Sequence, residues 1–451
     1  MVASIVALFI FVTMFVLIVQ DKIERQIITL VAGLLMIVVV FGFFMRSPEA
    51  IWRTLNIETF TTRDFWLASS HGGEGTSGIN WATILFIAGM MILVEGMGKS
   101  GFFNWLCLKL ARLVNYRPMP LMLAFMTLSF FLSMFIDSIT VILFLAAITV
   151  ELAMMLHLSP TPLILTEIFC SNLGGSATMS GDPPNIIIGS ALGYTFFDFA
   201  KNTGLIALVA MVFIIGFFYL MFRKKLSGVT ITADEIAGLP APESFIKDRG
   251  YFIESTIIFF IAVVLLITHA KTHLTVPTIG VIAAVLALIS ARKKAWELIK
   301  GIDYKTLLFF VGLFIVVSGL EETGVLKVLA NWIGDISGGS LTICIIIILW
   351  ISALASAIVD NIPFSATMVP VIKALAAASG LDLSTLAWAL SIGTDIGGNG
   401  TPIGASANVV GISIAAKNGT LISWKEYCKY MIPATLIVCA IGTLILFVRH
   451  V

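Results

Sequence analysis

The chain has 451 residues, of which 59% are hydrophobic and only 12% charged, and its net charge is +1. A soluble globular domain carries about 25% charged residues, so this composition excludes a water-soluble protein and defines a polytopic, multi-pass protein of the cell membrane. A net charge so near zero gives no field to attract nucleic acid.

A membrane-crossing helix needs about 20 apolar residues. In chain order the candidates are 2–19, 27–45, 81–98, 119–157, 161–191 and 205–222, then 252–270, 277–291, 304–320, 341–378, 384–416 and 427–448. The stretch from Met1 to Val19 has no basic leader and no clear small-residue cleavage site, so it reads as a retained helix. Between the two groups lies a polar segment, 223–250, with Arg223, Lys224 and Lys225 followed by Pro240 and Pro242. It is a cytoplasmic linker, too short to be a domain. It separates a first repeat, 1–222, from a second, 251–451. Each has about five spans and one longer apolar run, 119–157 or 341–378. The five cysteines (Cys107, Cys170, Cys344, Cys428, Cys439) show no metal or redox spacing and read as small apolar fillers.

The two halves are copies. Asp137 and Asp360 are 223 residues apart, as are Trp81 and Tyr304, Gly89 and Gly312, Gly101 and Gly324, and Gly174 and Gly397. "GGSATMSGDPPN" (Gly174–Asn185) and "GGNGTPIGASAN" (Gly397–Asn408) are identical at five of twelve positions. A constant offset over so long a stretch marks an internal repeat. Basic residues cluster at 22–25, 99–117, 223–225, 292–305 and 417–429. With these clusters in the cytoplasm, both termini lie outside, and 81–98 and its copy 304–320 cross in opposite directions. Arg46, Arg53 and Arg63 oppose this placement, but the 46–80 loop is long and also acidic, and long loops weigh less. The repeats are therefore inverted, and inverted repeats with interrupted helices at matched positions characterise secondary transporters.

Each repeat is interrupted twice. The runs 119–157 and 341–378 carry "FIDSIT" (Asp137, Ser138, Thr140) and "IVDNIP" (Asp360, Asn361, Pro363) near their centres. Asp, Ser and Asn cap a new helix and Pro suits its first turn. Two arrangements fit: two full helices joined by a surface turn, or a re-entrant hairpin with its tip near the midplane. The second interruption is the glycine-rich stretch and its copy. Non-helical backbone at membrane depth is tolerated only where it is buried in protein or lines a wet cavity. Gly174 and Gly175 would end one half-helix and Pro183 and Pro184 start the next. Ser176, Thr178, Ser180, Asp182 and Asn185 lie in or beside the break, with Asn399, Thr401 and Asn408 in the copy. Upstream, Asn172 matches Asp395. Four carboxylates thus fall at the interruptions: Asp137, Asp182, Asp360 and Asp395. Acids within membranes are expensive and usually functional. None of the four interrupted words holds Lys or Arg, which fits a proton, a sodium ion or a neutral solute better than a permanent dianion. Asp137 and Asp360 are expected near the bilayer midplane, within about 15 Å of the break in their own repeat.

At these words the chain resembles the arsenical-pump membrane protein and melanosomal P protein family. That family belongs to the ion transporter superfamily, with the sodium–dicarboxylate and citrate carriers. The similarity spans both repeats, and "GDPPN" and "DNIP" are nearest to the P protein branch. The resemblance implies an all-α protein of two inverted repeats with re-entrant hairpins and discontinuous helices. It further implies a homodimer in which a transport domain moves against a scaffold as an elevator. It implies a site formed by Asp137, Ser138 and Thr140 facing Ser176 and Thr178, and by Asp360 and Asn361 facing Asn399 and Thr401. The dicarboxylate carriers have Ser-Asn-Thr at both tips, whereas this chain has Asp-Ser-Ile-Thr and Asp-Asn-Ile-Pro, which argues against a dicarboxylate cargo.

The expected function is an ion-coupled secondary active transporter of a small inorganic ion or oxyacid, arsenite export being the named candidate. It would have no cofactor beyond a coupling proton or sodium ion. Sodium/proton antiport, an anion pathway and citrate or dicarboxylate transport are the alternatives. An enzyme, the intramembrane aspartyl protease, also needs two membrane aspartates. "SGD" (Ser180, Gly181, Asp182) matches only half of its Gly-x-Gly-Asp word and no Pro-Ala-Leu motif follows, so the chain is read as no enzyme. No Gly-x-x-x-x-Gly-Lys word exists, so any ATP hydrolysis would fall to a partner ATPase.

Overall fold

The computed structural model describes residues 2–20, 22–67, 78–226, 236 and 238–451. Residues 68–77 of the 46–80 loop, and 227–235 and 237 of the linker, lie outside the described residues. Among those described the protein is all helical, and its extended pairing is limited to an isolated bridge between Leu67 and Leu274. Ten of the described helices are long and apolar enough to cross a membrane. They include Val2–Gln20, Arg25–Met45, Trp81–Ser100, Thr203–Leu226, Arg249–Thr272, Tyr304–Glu322 and Trp424–His450.

Matched helices begin and end by matched chemistry. Asn80 accepts from the Thr83 amide at 3.0 Å to start Trp81–Ser100, and Gly101 ends it with φ +87°. Asp303 does the same for the copy, Tyr304–Glu322, with Gly324 (φ +76°) just beyond its end. A cap of this kind contributes about 1 kcal/mol, and only glycine takes the left-handed stop without strain. Each of these helices packs on the other repeat: Trp81–Ser100 on Val276–Ala291, and Tyr304–Glu322 on Arg25–Leu35. A Cβ on Gly89 would fall 2.1 Å from the Gly280 carbonyl oxygen, and one on Gly312 only 2.4 Å from the Thr29 backbone. Small residues let apolar helices approach this closely, which is where membrane helices gain their packing energy. The exchange of partners between halves is what a pseudo-twofold relation between the repeats requires.

The two long runs are helical hairpins, Pro118–Ser133 with Ser138–Met155 and Leu341–Ser356 with Asn361–Ser379. Their turns abut the breaks in the other interrupted helices. Thr178 Oγ1 donates to the Met134 carbonyl at 2.5 Å, and Thr401 Oγ1 donates to the matched Ala357 carbonyl. The helix flanking each break is interrupted as expected: Thr161–Gly175 then Pro183–Leu192, and Leu383–Gly397 then Ser406–Lys417. Every residue from 161 to 189 is buried. A hairpin turn pressed against a buried break is no surface turn, and this decides between the two arrangements the spacing left open.

Glycine permits this contact. A Cβ at Gly174 would meet the Phe130 carbonyl oxygen at 2.1 Å, and one at Gly397 would meet Ala353 Cα at 2.3 Å. Gly174→Ala and Gly397→Ala are expected to destabilise by about 1–3 kcal/mol each, the usual penalty of overpacking. Gly216, with nothing within 4 Å, is the neutral control. Thermal unfolding in detergent checks this, and equal stability of Gly174→Ala and Gly216→Ala would contradict it.

Short helices are added to the expected pattern, two of them at matched places in the repeats. The helices Phe102–Leu113 and Val325–Ser337 connect the spanning helices to the hairpins. They are too short to cross, with polar and apolar faces that suit an interface.

Candidate functional site

The site is built where the two breaks cross under the two hairpin tips. Asp182 precedes Pro183–Leu192, but its side chain does not cap that helix. It bridges the tips instead. Ser138 Oγ, from the first hairpin, donates to Asp182 Oδ1 at 2.6 Å, and Asn361 Nδ2, from the second, donates to Oδ2 at 2.9 Å. One carboxylate thus holds both hairpins together. Ser138 and Asn361 are matched positions (138 + 223 = 361), whereas the copy of Asp182 is Ala405, so the bridge is single.

Four asparagines surround the crossing. Asn185 Nδ2 donates to the carbonyls of Gly175 (3.2 Å) and Thr178 (3.0 Å). Its copy Asn408 donates to those of Gly398 (2.8 Å) and Thr401 (2.9 Å). Each therefore ties off the free carbonyls of its own break. Ser391 Oγ donates to Asn185 Oδ1 at 2.6 Å, which joins the second repeat to the first. Asn172 Nδ2 donates to Asn399 Oδ1 at 2.8 Å and to Asn408 Oδ1 at 3.0 Å, joining the first repeat to the second.

Asp395 occupies the position matched to Asn172. It is fully buried, and neither carboxylate oxygen meets a donor. Asp182 and Asn185 are the polar side chains that act on it. Asn172 Oδ1 and Asn399 Nδ2 also lack partners. Buried polar groups are nearly always paired, so unpaired groups gathered at one crossing mark a place for a small polar or charged guest. The groups that could hold a cation are oxygens: the Asp395 and Asp182 carboxylates, Asn172 Oδ1 and break carbonyls. Among the described residues no three His, Cys, Asp or Glu side chains gather to hold a metal ion.

The remaining predicted residues are placed nearby but otherwise engaged. Asp137 accepts from the Thr140 amide at 2.9 Å and from Thr140 Oγ1 at 2.7 Å, a cap closed on itself. Ser176 Oγ donates to the Leu173 carbonyl at 2.8 Å. Thr178 and Thr401 tether the breaks to the hairpin turns. Asp360 leaves the crossing. It accepts from Arg25 Nη1 at 2.6 Å and from Ser406 Oγ at 2.7 Å, with its side chain only 3% exposed and that of Arg25 28%. Sequence reading missed Arg25 because it sits in a basic cluster that reads as an ordinary cytoplasmic helix end. Nothing local ties it to a carboxylate 335 residues away. Ser391 and Ser406 gave no signal either. Arg25 is the first residue of the Arg25–Met45 span, and its long side chain joins that helix to the second tip.

Two helical repeats, crossed hairpins and a shared cluster of buried acids and amides are the build of a multi-pass secondary transporter of the ion transporter superfamily. The chain belongs to the citrate transporter family, which it matches over residues 15–393. An uncharacterized transporter of Mycobacterium tuberculosis is 31% identical over 99% of both chains. The human P protein is 28% identical over 83% of this chain and 54% of its own length. Two solved transporters share the fold at low identity. Alcanivorax borkumensis YdaH has a TM-score of 0.59 at 13% identity, covering 99% of this chain and 98% of its own. Neisseria gonorrhoeae MtrF, described among antimetabolite efflux pumps, has a TM-score of 0.56 at 12% identity, covering 97% and 94%. The similarity to P protein agrees with the motif resemblance. Family and neighbours are transporters and not enzymes, which sets the protease reading aside.

Proposed function

We propose that the chain is a cation-coupled secondary transporter of a small inorganic ion or oxyacid, and that Asp395 and Asp182 take up the coupling proton or sodium ion. One observation carries this: a fully buried carboxylate, Asp395, has no counter-charge and no well-formed hydrogen bond, and only the Asn185 amide and a second acid act on it. A buried acid without a counter-charge is strongly unfavourable, and a small cation supplies the missing partner. The positive charge that reaches the hairpin tip, Arg25, is spent on Asp360. A neutral oxyacid suits a cluster of amides and hydroxyls, which keeps arsenite the first cargo to test.

Sodium/proton antiport is the second reading, favoured by the same two acids standing together. Citrate is the cargo named by the family. It would need Arg25 to leave Asp360, or cations carried in with it. The elevator motion and homodimerisation are proposed from the resemblance.

Proteoliposomes with imposed proton or sodium gradients, offered arsenite, citrate or chloride, test the proposal. Arsenite flux that follows either gradient is the expected result. Flux of every cargo indifferent to both gradients would sink it.

A further inference from the structure

We propose that Glu167 is a second proton-binding site, apart from the crossing and present in the first repeat alone. Glu167 lies in Thr161–Gly175 and is fully buried. Its Oε1 accepts from Thr149 Oγ1 at 2.5 Å, and its Oε2 has no partner. No ion pair among the described residues includes it. The titratable groups within its electrostatic range are the Cys107 and Cys170 thiols. The helices packed on its own, Pro118–Ser133, Ser138–Met155, Thr203–Leu226, Leu383–Gly397, Ser406–Lys417 and Trp424–His450, bring no charge to bear on its carboxyl.

The second repeat is a built-in control. Adding 223 to Cys107, Thr149, Glu167 and Cys170 gives Ala330, Ile372, Leu390 and Gly393. All four are buried in the same setting without a polar side chain. Ser129 Oγ donates to the Glu167 carbonyl at 2.8 Å, whereas its copy Ser352 is equally buried but makes no hydrogen bond. The fold therefore does not require an acid here. Burying one costs several kcal/mol unless it is neutral or paired, so its presence in one copy needs a use. The simplest partner for a carboxyl with no counter-charge is a proton.

The position also suits coupling. Asn172 is five residues further along the same helix, about 7.5 Å at 1.5 Å per residue. The two sites therefore share one helix, through which a change at Glu167 reaches the crossing. On the other side, a crevice lined by Asn104, Leu108, Ile148, Glu151 and Pro240 reaches in between Phe102–Leu113 and the Ser138–Met155 arm. Leu108 and Ile148 are the chain neighbours of Cys107 and Thr149, both of which are buried behind it. Glu167 takes its proton from that side and releases it there.

The role in coupling rests on the proton-driven form of the function proposed above, but binding of the proton can be read without transport. In pH-jump infrared difference spectra of the purified protein, a protonated-carboxyl band is expected that is lost in Glu167→Gln and kept in Asp395→Asn. Glu167→Leu, which reproduces the residue of the second repeat, should fold and lose the same band. In proteoliposomes both Glu167 variants should lose the proton-driven component of flux and keep their thermal stability. A spectrum unchanged by both substitutions overturns the proposal, as does proton-driven flux with wild-type pH dependence in either variant. If no gradient drives flux in the wild type, the transporter reading fails, while the infrared band still decides Glu167.

Discussion

Asp395→Asn should abolish cation-driven transport and leave the protein folded. The buried carboxylate has no donor, so a coupling cation loses its charged partner when the side chain becomes an amide. Removing one partner of a buried charge pair costs about 3–5 kcal/mol, and at about 1.4 kcal/mol per decade the flux falls about 100- to 4,000-fold. The fold has already accepted the replacement, because the matched position in the first repeat is Asn172. Thermal stability should therefore hold or rise, as it does when an uncompensated buried charge is removed for the sake of the fold and at the cost of function. Flux at the wild-type rate with unchanged gradient dependence would show that Asp395 is a packing residue.

Arg25→Ala is expected to be the most damaging change to stability outside the packed glycines. It strands Asp360, whose side chain is 3% exposed, with only Ser406 and its own helix N-terminus for support. The pair is half open to solvent on the arginine side, so the loss should lie near the lower end of the buried range, about 2–3 kcal/mol. Asp360→Asn in the same chain removes the stranded charge. The double variant should recover most of the loss, as a double-mutant cycle on a real contact requires. Unfolding curves in detergent for the two single variants and the double give the coupling directly. A double variant no more stable than Arg25→Ala would mean that the arginine acts elsewhere.

Much of this architecture is legible in the residues because membrane helices are written in composition. The runs 2–19, 205–222 and 427–448 correspond to Val2–Gln20, Thr203–Leu226 and Trp424–His450. Water-free surroundings leave an apolar segment of that length no alternative to helix. The breaks were legible for the converse reason. Gly174, Gly175, Pro183 and Pro184 cannot continue a helix, and their recurrence in the copy at the same offset shows that the interruption is required. The short connecting helices were not legible, since twelve or thirteen residues of mixed polarity are equally at home in a loop.

Sequence alone determined the two repeats, their interrupted helices and the acids set into them, because each is a local property or a repeat at fixed spacing. Which acid meets which partner was decided only by tertiary structure. Asp137 and Asp360 stand at identical places in matched words, yet Asp137 closes a cap with Thr140 while Asp360 reaches Arg25. Asp182 has no acidic copy, yet it bridges both tips. Asp395 was one of four carboxylates at the interruptions, and the fold leaves it as the one of these four without a well-formed hydrogen bond. The reason is physical. A charge is satisfied by whatever lies within about 3 Å of it, and here those neighbours come from the other repeat, more than 170 residues away along the chain for Asn361 and Asp182. No periodicity or spacing within one repeat encodes such a contact. It exists only once two inverted halves have packed through each other.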